Sequence, residues 1–276
     1  MISLIFLFES LAGGALVGVF APLSAPWWGH LLLGLGSFAC IWLALNLLYI
    51  LLLFVISLFF GKEEPERESP FWRRWTFRSV AWILRMLRVR VTLEGKELLP
   101  DSPMVLVSNH RSDFDPMAVM ATLPKRPLIY ISKESNLRIP IAGPFVRRCH
   151  FLPIDREDPR KALKTLKRGA ELMRERGLDI GIYPEGTRSY KGGPKPFKEG
   201  AFLMAKQAGA PIVLMTTEGT EEIAGHVILR VNRVRLRVIR VISAEEVAAT
   251  SARALTQQAE EILFTALNVP TEVSSH

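Results

Sequence analysis

Met104-Val-Leu-Val-Ser-Asn-His-Arg-Ser-Asp-Phe-Asp-Pro116 is the stretch on which the fold turns. It opens with an apolar run of strand length, passes through a polar loop, and reaches Asp115-Pro116, where a helix begins. The same grammar repeats downstream. Leu128–Ile131, Phe151–Ile154, Ile180–Tyr183 and Pro211–Met215 read as buried strands. Between them, Asp158 caps a helix with Pro159 at its first position, ending near Gly177, and Lys198–Ala208 is a second helix closed by Gly209. Val234–Ile239 alternates apolar and basic residues, as a strand with one wet face does. Ser243-Ala-Glu-Glu246 is a capping box for a C-terminal helix running to about Leu267. Strands alternating with helices predict an α/β fold whose largely parallel or mixed sheet is covered by helices. No internal repeat, low-complexity tract or second soluble domain interrupts the pattern.

Upstream the chain changes character. Its 35 Lys and Arg residues all lie at or beyond Lys62, and Glu9 is the sole formal charge in residues 1–60. Leu31–Phe60 is an uncharged run of thirty residues, longer than the roughly 20 that a bilayer core requires. Residues 1–21 form a second apolar run, and Pro22–Pro26 turns the chain toward Trp27 and Trp28, at interfacial-belt positions. A helical hairpin over residues 1–60 is the preferred reading. A signal peptide competes for residues 1–21 but lacks the usual basic leader. Basic residues follow the hairpin and are missing from its loop, which predicts a cell-membrane protein with its body on the cytoplasmic side.

Residues 61–90 form a polar linker followed by a basic, aromatic helix, Phe71–Arg90. Arg74, Arg78, Arg85 and Arg88 share one stripe, with Trp72, Trp75, Trp82, Ile83 and Met86 opposite. Such a helix suits the membrane interface, and the alternative is a surface helix packed on the body. Residues 91–276 are the α/β domain. Its positive charge, beyond the chain's net +8, suits an anionic membrane or a phosphorylated substrate. Nucleic acid is excluded as a partner, because it leaves the apolar head without a purpose. Two cysteines, Cys40 and Cys149, do not make a disulfide framework.

His110 follows a strand at the carboxyl edge of the predicted sheet, where ligands bind in open α/β folds. Asp115 is placed to accept from its imidazole, fixing a tautomer whose other nitrogen takes a hydroxyl proton. A structural His–Asp pair, or a metal site made by His110, Asp113 and Asp115, are the competing readings; no further His or Cys cluster completes the metal site. Tyr183-Pro-Glu-Gly-Thr-Arg-Ser189 ends another strand. Glu185 and Gly186 predict a tight turn, with Thr187, Arg188 and Ser189 available to an anion, or an ordinary charged surface turn. Lys133 and Arg156 end two further strands, so their charges and that of Arg188 are expected at one mouth.

These motifs together resemble the glycerophospholipid acyltransferase family, specifically the 1-acyl-glycerol-3-phosphate acyltransferases. His-x4-Asp is met at His110 and Asp115, an apolar run ending in Arg at Phe151–Arg156, and Phe-Pro-Glu-Gly-Thr-Arg-Ser at 183–189 with Tyr183 for Phe. Ala210-Pro211-Ile212-Val213 matches a fourth motif, with Leu214-Met215 where a later proline is expected. The likeness spans roughly residues 75–245. It implies that His110 is the base and Asp115 its orienting partner. Glu185, Gly186, Thr187 and Arg188, with Lys133 and Arg156, would hold the acceptor's glycerol phosphate. The implied reaction moves an acyl group from acyl-CoA or acyl carrier protein to the sn-2 hydroxyl of lysophosphatidic acid, giving phosphatidic acid in membrane lipid. No cofactor and no metal are implied. Other acceptors such as glycerol-3-phosphate, a metal-dependent phosphoesterase, and a non-enzymatic membrane-binding protein are the alternatives.

Overall fold

Val105–Ser108 (β2) is buried along its whole length, as a strand covered on both faces must be. The structure, a computed structural model, describes residues 2–20, 26–60, 69–189, 193–226 and 230–267. Most of the predicted turn before Pro26 and of the linker from Lys62 lie outside them. In chain order the elements are α1 (Ile2–Val19), α2 (Trp27–Leu58), α3 (Pro70–Met86), β1 (Val89–Glu94), β2, α4 (Asp115–Thr122), β3 (Leu128–Lys133), α5 (Ala142–Arg148), β4 (Leu152–Ile154), α6 (Pro159–Arg176), β5 (Asp179–Ile182), α7 (Gly200–Ala208), β6 (Ile212–Glu218), β7 (Asn232–Ile242), α8 (Ala244–Ala249) and α9 (Ala252–Ala266).

The seven strands form one sheet in the order β1-β7-β6-β2-β5-β3-β4. Every neighbouring pair is parallel except β6 with β7. The carboxyl ends of β2 to β6 therefore share one edge, and the loops carrying His110, Lys133, Arg156 and residues 183–189 leave from it. Local chemistry explains the boundaries. Asp158 accepts from the N–H groups of Arg160 and Lys161 to start α6, and Gly177 ends it at φ 65°.

Two predicted boundaries are corrected. The basic helix stops at Met86, and Val89–Glu94 is a strand whose alternate residues are half-buried against β7. The two-residue alternation of Val89, Val91 and Leu93 was masked by continuity with the arginine-rich run. The C-terminal helix is two helices, because Ser251 starts its own cap on Ala254 N. The Lys206 ammonium accordingly bonds the free carbonyls of Val247, Ala248 and Thr250.

At the opposite edge of the sheet, Asp179 lies buried beneath Arg126, with Nε–Oδ2 2.6 Å and Nη2–Oδ1 2.8 Å, and also accepts from Met104 N. Burial raises the Asp179 carboxyl above its usual range although Arg126 pulls it down.

The predicted hairpin is present. Both α1 and α2 are long and apolar enough to cross a membrane. The two helices close to backbone contact at Gly14, Gly18 and Gly34. The aromatic side of α3 grips this hairpin instead of facing outward. Trp82 Nε1 donates to Asn46 Oδ1 (3.1 Å), Trp75 Nε1 donates to the Tyr49 hydroxyl (3.1 Å), and that hydroxyl bonds Ser79 Oγ (2.7 Å). Tyr49, Leu53, Trp82 and Phe145 form a second apolar cluster joining hairpin, α3 and α5.

Candidate active site

The loop after β2 is held rigidly before any ligand arrives. Asn109 clamps it to β6 through both amide atoms, donating to Thr217 O (2.9 Å) and accepting from Thr217 N (2.8 Å). Next along the chain, His110 is 9% exposed, and its Nδ1 meets Asp115 Oδ2 at 2.8 Å. The same carboxylate oxygen accepts from Arg111 N (2.7 Å) and Ser112 N (2.9 Å), while Oδ1 accepts from the Thr220 hydroxyl. Asp115 thus accepts from backbone N–H and hydroxyl donors, so Nδ1 of His110 is the donor in their contact and Nε2 presents a lone pair.

The second loop braces the first. Glu185 is buried; its Oε1 accepts from His110 N (2.7 Å) and its Oε2 from Lys195 N (3.0 Å). Burial raises its carboxyl above the usual glutamate range, partly offset by these two donors. Ser189 returns the contact, donating to His110 O through N (2.8 Å) and Oγ (3.0 Å). Gly186 takes φ 69°, a left-handed turn that any side chain would strain.

Three rings then stack across adjacent strands. The His110 imidazole lies on Tyr183 with centroids 4.1 Å apart and planes at 11°, and Tyr183 lies on Tyr130 at 5.6 Å and 11°. A Cβ on Gly181 would come within 2.3 Å of the Tyr130 ring, so the missing side chain leaves room for the stack. Burial holds both phenols neutral, well above the usual tyrosine value.

Beside Tyr183 opens an apolar cavity of about 410 Å³, walled by β4, α6 and α7 through Ile154, Ala162, Leu163, Leu166 and Leu203. Arg156 and Lys198 are its cations. Burial, and after it the neighbouring Arg188 charge, push the Arg156 guanidinium below its ordinary value. Arg188 also pairs with Asp113.

The structure therefore brings together His110, Asp115, Glu185, Gly186, Arg156 and Arg188. Glu185 places both oxygens on backbone N–H groups and so braces the loop pair. Thr187 is exposed at the turn, and Ser189 makes the contacts instead. Lys133 is exposed at the end of β3 and does not line the cavity; Lys198, which sequence reasoning passed over as an ordinary helix-start lysine, does. Asn109, Tyr183 and Thr220 were also missed as site residues. Thr220 lies 105 positions from Asp115, and no local spacing announces it. Among the described residues, no group of three His, Cys, Asp or Glu side chains is arranged to hold a metal ion.

Residues 90–217 match the family model described as Acyltransferase. A chloroplastic 1-acyl-sn-glycerol-3-phosphate acyltransferase of Brassica napus is 38% identical over 136 residues, covering 49% of this chain and 39% of that protein. The human 1-acyl-sn-glycerol-3-phosphate acyltransferase alpha is 36% identical over 126 residues, 45% of this chain and 44% of that one. The matched stretch spans about two-fifths of the length of these curated relatives. In fold, the chain resembles the crystal structure of the 1-acyl-sn-glycerophosphate (LPA) acyltransferase PlsC from Thermotoga maritima, with a TM-score of 0.59, 20% identity, and coverage of 83% of this chain and 90% of that one. The histidine and the residues that brace it, Asn109, Glu185 and Ser189, lie inside the segment matched by the Acyltransferase model.

Proposed function

We propose that the protein transfers a fatty acyl group from a thioester to the sn-2 hydroxyl of lysophosphatidic acid, forming phosphatidic acid. The observation that carries this reading is the His110–Asp115 pair beside an apolar cavity whose cations are Arg156 and Lys198. An acyl chain suits the apolar walls, and a phosphate suits the two cations that line the same cavity. The names of the relatives described above support this acceptor.

In this mechanism Nε2 of His110 takes the proton of the attacking hydroxyl as its oxygen adds to the thioester carbonyl. Asp115 stabilises the resulting imidazolium, and the stacked Tyr183 face adds a cation–π contribution. Collapse of the tetrahedral intermediate breaks the C–S bond, and the thiolate receives the proton from His110. The substrate supplies its own nucleophile, so no acyl-enzyme forms, and no metal or cofactor enters the scheme. Acyl-CoA and acyl carrier protein are both donors of the required chemistry. The apolar hairpin supports anchoring in the cell membrane, and the basic residues after it support a cytoplasmic body.

Purified protein in liposomes, offered lysophosphatidic acid, glycerol-3-phosphate or lysophosphatidylcholine with each donor and a chelator, tests the assignment. Phosphatidic acid is expected from the first acceptor, at a rate the chelator does not change. A faster reaction with another acceptor reassigns the substrate, and turnover abolished by chelator sinks the mechanism.

A further inference from the structure

The arginine stripe of α3 is unexplained by the acyltransferase site. Arg85, Arg88 and Arg90 line a separate cavity of about 470 Å³, whose floor is Leu84, Val89, Val91 and Ala121, with Thr122 at its side. Three features mark it as more than a solvated basic surface. Arg88 holds φ 54°, a left-handed backbone that is strained for a residue bearing a Cβ. The turn is fixed there by Asn232, whose N donates to Arg88 O (3.1 Å) and whose Nδ2 donates to Leu87 O (3.4 Å). Strained backbone of this kind is retained where the side chain has work to do.

Arg90 also stands directly beside Arg233 in the β1–β7 pairing, a like-charge juxtaposition that destabilises a sheet unless an anion lies between. The same strand pair shows the contrast. Arg235 is neutralised by Glu94 and Arg237 by Glu218. Among the described residues, Arg85, Arg90 and Arg233 have no acidic partner within 4 Å. Finally, Arg85 belongs to the helix whose aromatic side grips the hairpin through Trp75 and Trp82. The cavity therefore lies against the helix that docks the hairpin, lined by three arginines together with apolar side chains.

We propose that this cavity binds the headgroup of an anionic phospholipid, its phosphate taken by Arg85, Arg88 and Arg90 and the start of its apolar portion by Leu84, Val89 and Ala121. The choice of a lipid over a free phosphate rests on reading the hairpin as membrane-inserted. The site is distinct from the one that acts on the acceptor, and it sets a preference for negatively charged leaflets.

The test uses the full chain in neutral-detergent mixed micelles, titrated with phosphatidylglycerol, phosphatidylcholine or inorganic phosphate and followed by thermal midpoint and fluorescent-lipid displacement. Wild type is expected to prefer phosphatidylglycerol over phosphatidylcholine by about tenfold, a preference that falls with added salt. Arg85→Gln/Arg90→Gln loses it, while the charge-matched exposed pair Lys167→Gln/Arg253→Gln retains it. Arg88→Gly, which relieves the turn, raises the thermal midpoint yet lowers the preference, so that loss is not unfolding. Equal preference in wild type and Arg85→Gln/Arg90→Gln overturns the site. Inorganic phosphate competing as well as the lipid overturns the lipid assignment. A raised KM for acyl carrier protein in the double variant, with lipid preference intact, assigns the patch to an acidic protein instead. The proposed reaction is tested separately, because His110→Ala is expected to keep the lipid preference while losing turnover.

Discussion

Asp115 and Glu185 are both buried carboxylates within one loop pair, and their surroundings give them opposite tasks. Asp115 collects two backbone N–H groups, a hydroxyl and the imidazole, and serves the histidine ring. Glu185 collects the backbone N–H groups of His110 and Lys195, and serves the loop. Glu185→Gln keeps the shape but sets an amide N–H against a backbone N–H. It is expected to cost about 1–3 kcal/mol in stability. Because burial raises the folded-state pKa of Glu185, its contribution is fully present below the ordinary glutamate value and is lost as pH rises through the raised one. The stability–pH curve of Glu185→Gln, measured by urea unfolding in detergent, should lack that decline; an unchanged slope contradicts the assignment. Tyr183 makes its claim through its face, not its hydroxyl. Tyr183→Phe is expected to retain activity, whereas Tyr183→Leu should lower kcat roughly 3–30-fold by removing the surface under the imidazolium. Equal losses in kcat would refute that division. His110, Asp115 and the turn at 183–189 were legible because they sit close together in sequence after strand-like runs. Thr220 was not, because contact across a sheet leaves no local spacing. Lys198 was not, because the loop that bonds its N–H to Pro184 O is what brings it to the cavity.

Among the elements, the adjacent strands β2, β5 and β3 act as a unit, stacking the rings of His110, Tyr183 and Tyr130 toward one side and holding Asp179 at the opposite edge. The ion pair between Arg126 and Asp179 closes that far edge and also bonds the carbonyls of Pro100 and Ser102. Arg126→Ala leaves a buried carboxylate uncompensated and is expected to destabilise by about 3–5 kcal/mol. A loss below about 1 kcal/mol in equilibrium unfolding would show that water reaches Asp179. The strands and α6 were readable from apolar runs and caps, which depend on nearest neighbours. Strand β1 was not, since its alternation is short and its partner β7 lies some 140 residues away. The aromatic side of α3 illustrates the same limit. Its amphipathic period announces a face to be buried, but not whether lipid or the hairpin buries it.

For the whole molecule, a hairpin of membrane-spanning length is fastened to the α/β body by polar contacts at Asn46 and Tyr49. Helix α2 has 32 residues, about 48 Å, against a bilayer core of about 30 Å. The excess suits the C-terminal part where Tyr49 and Leu53 dock on α3. The protein is therefore expected to remain in the membrane pellet after alkaline carbonate extraction, and a variant lacking residues 1–60 to be released. Release of the full chain would contradict insertion. Composition made this division legible, because charge is confined almost entirely to one part of the chain.

The most direct test of the central claim is the rate of phosphatidic acid formation from lysophosphatidic acid by liposome-reconstituted protein, wild type beside His110→Ala. General-base catalysis with this geometry predicts turnover by wild type and a fall of at least about 10³-fold in the variant, with its fold and membrane integration unchanged. A His110→Ala protein that keeps more than about a tenth of the wild-type rate would contradict the role of His110.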